Sequence, residues 1–161
     1  MKSLVILGVL VATLVGCSSD PAQIAGDYTV GVTNRDNGCN FANWTAGGMT
    51  AGVDVKIAQS GSNVTANVTG GVGAVLDFAF GSSAFTGTID GNELDLKLEG
   101  TRVQQSGTCT YTYNGQILAT ASGDILTGRI NYTPATNGNS DCAAVSGCLT
   151  YQEFNGSRPP Q

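Results

Sequence analysis

The stretch VDVKIAQSGSNVTANVT, residues 53 to 69, contains two apolar alternations separated by a turn. In the first, Val53, Val55 and Ile57 alternate with Asp54, Lys56 and Ala58; in the second, Val64, Ala66 and Val68 alternate with Thr65 and Asn67. Successive side chains of a strand point to opposite faces, so each half reads as a strand wet on one side. SGSN between them suits a tight hairpin. The same period of two recurs in both directions: YTVGVT (28–33), LDFAF (76–80), ELDLKLE (93–99), TCTYTY (108–113), ILTGRINYT (125–133) and LTYQEF (149–154). The breaks DGN (90–92), NGQ (114–116) and SGD (122–124) read as further hairpin turns, since Asp-Gly and Asn-Gly suit the positive φ of a type I′ turn. No stretch after Ala25 has helical spacing of useful length, and NFANW (40–44) is long enough for a single turn only.

Consecutive hairpins predict an up-and-down antiparallel meander, and a long meander hides its edges best by closing. The expected fold is therefore all-β, a small barrel of about eight to ten strands. A two-sheet sandwich is the alternative. The inward face of such a barrel carries Val30, Val32, Val53, Val55, Ile57, Leu94 and their neighbours, with Phe78, Phe80, Phe85, Leu96 and Tyr111 as the candidates to line a cavity. A barrel of about eight strands is just wide enough to be filled by its own side chains or to hold one small ligand. A packed core is the plainer reading. The apolar face argues against a sugar and allows a lipid-like guest.

The chain has 161 residues, a net charge of −5, five cysteines and no histidine. Arg35, Lys56, Lys97, Arg102, Arg129 and Arg158 are scattered, so the clustered cations that bind nucleic acid are missing. Without histidine, Ser-His-Asp and Cys-His chemistry is excluded. Two carboxylates would still suffice for a glycosidase, but Asp54, Asp77, Glu93, Asp95 and Glu99 alternate with the apolar face and point outward. The expectation is a protein that is not an enzyme and carries no cofactor. NGNSD (137–141) and NRDNG (34–38) space oxygen ligands as calcium likes them, yet neither loop has the further carboxylates of a calcium loop, and such runs are ordinary turn chemistry.

The first residues set the address. Lys2 is followed by the uncharged run LVILGVLVATLV (4–15), which is shorter than the roughly twenty apolar residues of a spanning helix and has the pattern of an export signal. It ends in Leu14-Val15-Gly16-Cys17, which resembles the lipobox of bacterial lipoproteins. The resemblance implies that residues 1–16 are removed as a signal peptide and that Cys17 receives a diacylglycerol and usually a further acyl chain such as palmitate. Residues 17–25 are then a lipidated tether and residues 26–161 a single all-β domain. Several acyl chains give a stable membrane anchor where one would bind only marginally. Ser18, in place of aspartate after the cysteine, favours the outer membrane by resemblance to enteric sorting, if the host has two membranes.

With Cys17 assigned to lipid, Cys39, Cys109, Cys142 and Cys148 form an even set in an oxidising compartment, which predicts two disulfides. A metal site is the competitor, but there is no CxxC pair and no histidine to serve it. Of the three pairings, Cys142–Cys148 with Cys39–Cys109 is preferred, because CAAVSGC can close on itself. Gly26-Asp27-Tyr28 resembles the Gly-x-Trp that opens the first strand of lipocalin- and avidin-like barrels, with Tyr28 in place of tryptophan. By that resemblance Tyr28 closes the barrel floor and Arg158 packs on its ring as a cation–π contact. The two long loops, 34–52 with the sole tryptophan Trp44 and 134–147, leave two functional classes open. One is a binding module that presents its loops to an envelope or extracellular protein, with Trp44 as anchor; the other is a carrier of a small apolar molecule. Trp44 covering a barrel end is the competing reading of that residue.

Overall fold

The computed structural model describes residues 20–160; the leader and Cys17 lie outside the described residues. The elements in chain order are β1 (Gly26–Asn37), β2 (Met49–Ser60), β3 (Asn63–Val68), α1 (Gly70–Phe80), β4 (Ala84–Asp90), β5 (Glu93–Leu98), β6 (Gln104–Ser106), β7 (Cys109–Ser122), β8 (Ile125–Thr136), a 3₁₀ turn (Ser140–Ala144) and β9 (Thr150–Ser157). β1 to β5 form an antiparallel meander; β5 pairs with β7, β7 with β8, β8 with β9, and β9 returns to β1. Eight strands thus close into a barrel, while β6 adds to β7 outside it. Closure removes the open edges, and the sandwich alternative falls.

The register carries the alternation around the barrel. Val30 faces Val53, Val55 faces Val68, Ala66 faces Phe85, Leu94 faces Ala119 and Ile117 faces Ile130, so one apolar set looks inward throughout. The hairpins at Gly61, Gly91 and Gly123 lie at one end, the floor, with left-handed φ of 60°, 56° and 59°. The floor is plugged by the segment before β1. Ile24 is fully buried, its N–H donates to Gln59 Oε1 at 2.8 Å, and Gln59 Nε2 donates to the Ala22 carbonyl at 2.9 Å. Arg158, just past β9, stands over the Tyr28 ring at 5.7 Å and donates to Asp124 Oδ1 at 2.8 Å, to the Gln23 carbonyl at 2.8 Å and to the Ala25 carbonyl.

Three expectations are corrected. First, LDFAF is not a strand: it is the second half of α1, which crosses the opposite end, the mouth. Val72, Leu76 and Phe80 recur at every fourth residue and turn toward the core, whereas Phe78 is 83% exposed. A short apolar run satisfies both periods, and the helical one prevails here because Gly70 (φ 66°) turns the chain in and Gly81 (φ 88°) ends it with an N–H to the Asp77 carbonyl. Second, NGQ is not a turn but lies inside the 14-residue β7. Gly115 faces inward, and a Cβ there would stand 2.8 Å from Phe85 Cε1, so the glycine makes room for the ring. Asn114 Oδ1 meanwhile accepts from the Gly100 N–H at 3.0 Å.

Third, the disulfides are Cys39–Cys148 and Cys109–Cys142. The β1–β9 pairing runs on past Asn37 and Thr150, with Gly38 N–H to the Leu149 carbonyl at 3.1 Å, which brings Cys39 beside Cys148. The 3₁₀ turn is held on the start of β7 by Asp141, whose Oδ2 accepts from Thr108 N–H at 2.9 Å and Oγ1 at 2.7 Å, so Cys142 faces Cys109 instead. Neighbours in sequence lost to neighbours across the mouth.

Candidate ligand-binding site

Toward the floor the barrel is filled by its own side chains, with Tyr28, Phe85, Ile89 and Leu96 at most 2% exposed. Beneath α1 lies a cavity of about 340 Å³ lined by inward residues of β1 to β5 and β7 to β9 and by Gly71, Val72, Val75 and Leu76 of the helix. Of the small inward residues, Ala66 and Ala119 line it, whereas at Gly115, Gly128 and Gly156 the place of a side chain is taken by Phe85, Ala119 and Val30. Ile117, Ile130 and Phe154 also face the lumen and are only half-buried, which puts their remaining open area on the cavity.

The space is partly open to solvent, so it is a pocket and not a sealed void in the core. Its volume falls at the lower end of the range of about 300–1,000 Å³ that ligand pockets occupy. Three lining residues, Thr50, Gly71 and Val75, are exposed, which places an opening between α1 and the start of β2.

The lining has a few polar groups at its upper rim. Gln152 accepts from Tyr132 OH at 2.9 Å and donates Nε2 to Asn34 Oδ1 at 2.7 Å. Burial lifts the Tyr132 hydroxyl far above its ordinary value, so it stays protonated. Near the floor, burial also raises Tyr28, and the Arg158 guanidinium opposes that rise in part. The Tyr28 hydroxyl is buried and has no hydrogen-bond partner among the described residues.

Of the residues named from sequence, Phe85 and Leu96 line the cavity. Phe80 is buried but stacks on Tyr132 at 5.4 Å instead of facing the space, and Tyr111 packs edge-on against Tyr113 at 5.5 Å. Phe78 points to solvent. Trp44 is tied down: its Nε1 donates to the Arg35 carbonyl at 2.9 Å and its ring meets Phe41 and Tyr132 edge-on at 6.0 and 6.4 Å. Asn37 seats the same loop by accepting from Phe41 N–H and donating to the Phe41 carbonyl, at 2.7 and 2.9 Å. Trp44 therefore covers the barrel end beside α1.

Reading NGQ as a turn hid Ile117 and Ala119, which continue the alternation of Tyr111 and Tyr113. Gln152 and Phe154 carry the same signal in LTYQEF, where a polar residue at an inward position gives no mark of its own. Compared with protein-family models, with curated proteins and with solved structures, the chain finds no match.

Proposed function

We propose that the protein is a bacterial envelope lipoprotein that carries a small apolar molecule in its barrel. One observation carries this reading: an apolar cavity of about 340 Å³, open beside a helix that crosses the mouth. The anchor follows from the lipobox ending in Cys17. The seven steps from Cys17 to the floor plug Ile24 span at most about 25 Å when fully extended, so an anchor on Cys17 would hold the protein by its floor end. The test is the mass of the Cys17→Ser protein, exported without lipid, under native and then denaturing conditions. Extra mass that vanishes on denaturation is expected; an empty protein that also takes up no added apolar compound would sink the carrier.

A second reading, a module that binds an envelope or extracellular protein, is favoured by exposed apolar side chains at the mouth end. Met49, Phe78 and Val103 are 77%, 83% and 70% exposed there, beside loops stapled by both disulfides. Loss of partner capture on Phe78→Ser, with unchanged melting, supports this reading; unchanged capture removes it.

A further inference from the structure

Among the described residues, the cavity lining contains no aspartate, glutamate, lysine or arginine. Even the exposed residues at the opening, Thr50, Gly71 and Val75, are uncharged. A charged group drawn into such a space would lose its water and find no opposite charge, which is among the most unfavourable transfers a protein can impose. The overall charge of −5 adds a field that turns anions away.

The lining is nevertheless not wholly apolar. A primary amide has two N–H donors and an oxygen with two lone pairs. Gln152 spends one N–H on Asn34 and one lone pair on Tyr132, and so keeps one donor and one acceptor. Both of its partners are side chains of the barrel wall, which fix the orientation of the amide before anything binds. Tyr132, at the same rim, donates its proton to Gln152 and keeps acceptor capacity of its own.

Resting on the carrier reading, we propose that the ligand is an uncharged, elongated apolar molecule with a single hydroxyl or carbonyl group near one end, which the spare hydrogen-bonding capacity of Gln152 engages at the rim. The apolar remainder lies against the half-buried Ile117, Ile130 and Phe154. A free fatty acid in its ionised form and an alkylammonium are both excluded from this class.

The test compares decanol, methyl decanoate, decanoate and decane on the Cys17→Ser protein at neutral pH, by calorimetry and by shift in melting temperature. Decanol and methyl decanoate are expected to bind at least tenfold more tightly than decanoate. Gln152→Met, of similar length and without the amide, is expected to weaken decanol by roughly threefold to tenfold and leave decane unchanged. Decanoate binding as well as its methyl ester overturns the uncharged class while the carrier stands. Equal losses for decanol and decane in Gln152→Met show that the residue only shapes the wall, and overturn its role as the polar hook. No binding by any of the four overturns both this inference and the carrier.

Discussion

Gly115 shows how a single missing side chain shapes this lumen. A Cβ at that position would lie 2.8 Å from Cε1 and 3.2 Å from Cζ of Phe85, a ring that is 1% exposed. Gly115→Ala is therefore expected to cost about 1–3 kcal/mol, as overpacked cores do, read as a lower urea midpoint with unchanged slope. An unchanged midpoint would mean that Phe85 has room to swing into the cavity. The tyrosines offer a second check. Burial raises Tyr28, Tyr113 and Tyr132 above the ordinary value. A tyrosine whose folded value is raised lends stability that is complete below its unfolded value of about 10 and is lost as pH rises through the folded value. Tyrosinate absorbance should thus show a late step above pH ~10 that coincides with loss of near-ultraviolet circular dichroism. If that step is complete while the dichroism is intact, the three rings are more accessible than their packing indicates.

At the scale of elements, the decisive object is α1, and mutations separate it from the strand that the period of two suggested. In a strand, Phe78 and Phe80 would share one face; in the helix, Phe78 is exposed and Phe80 stacks on Tyr132. Phe78→Ala is expected to change stability by no more than about 0.5 kcal/mol, and Phe80→Ala to cost about 3–5 kcal/mol, in chemical denaturation. Similar costs at both positions would restore the strand. The strands themselves were legible, because alternation in VDVKIAQ, NVTANVT and ELDLKLE continued long enough to exclude the helical period. LDFAF failed because five residues satisfy both periods, and NGQ failed because a glycine that makes room for a ring has the same letter as one that makes a turn. The number of disulfides followed from counting, but their pairing depends on which chain ends the closed barrel brings together across its mouth. Of the cavity, the apolar wall was readable and its open space was not, because only the register shows that Ala66, Ala119 and the half-buried Ile117, Ile130 and Phe154 face one space. Loop length also ranks the two bridges. Cys39–Cys148 closes 109 residues and Cys109–Cys142 closes 33, so chain entropy makes the first worth roughly 1 kcal/mol more. Paired serine substitutions, compared by denaturation, should reproduce that order.

At the scale of the whole molecule, the barrel has a closed floor and an open mouth, and the chain enters at the floor. The lock on that entry is Arg158, whose side chain is only 8% exposed. Its guanidinium holds two backbone carbonyls of the incoming segment, the Asp124 carboxylate of the β7–β8 hairpin and the face of Tyr28. These contacts bind the segment before β1 to the barrel without passing through any strand pairing, so that segment should be releasable on its own. Arg158→Met keeps the apolar stem and removes the donors. It strips two carbonyls and a carboxylate of their partner, and is expected to cost about 1–3 kcal/mol, tempered by the partial exposure of Asp124. The sharper readout is limited proteolysis. In the variant, cleavage within residues 20–25 should accelerate while the barrel fragment survives, and uptake of apolar compounds should weaken as water reaches the lumen from below. Faster cleavage with undiminished uptake would mean that Ile24 seals the floor without help from the clamp. Unchanged cleavage would mean that the Gln59 hydrogen bonds and the bond from Ala22 N–H to the Gly91 carbonyl hold the segment without the clamp, leaving Arg158 to serve the packing of Tyr28.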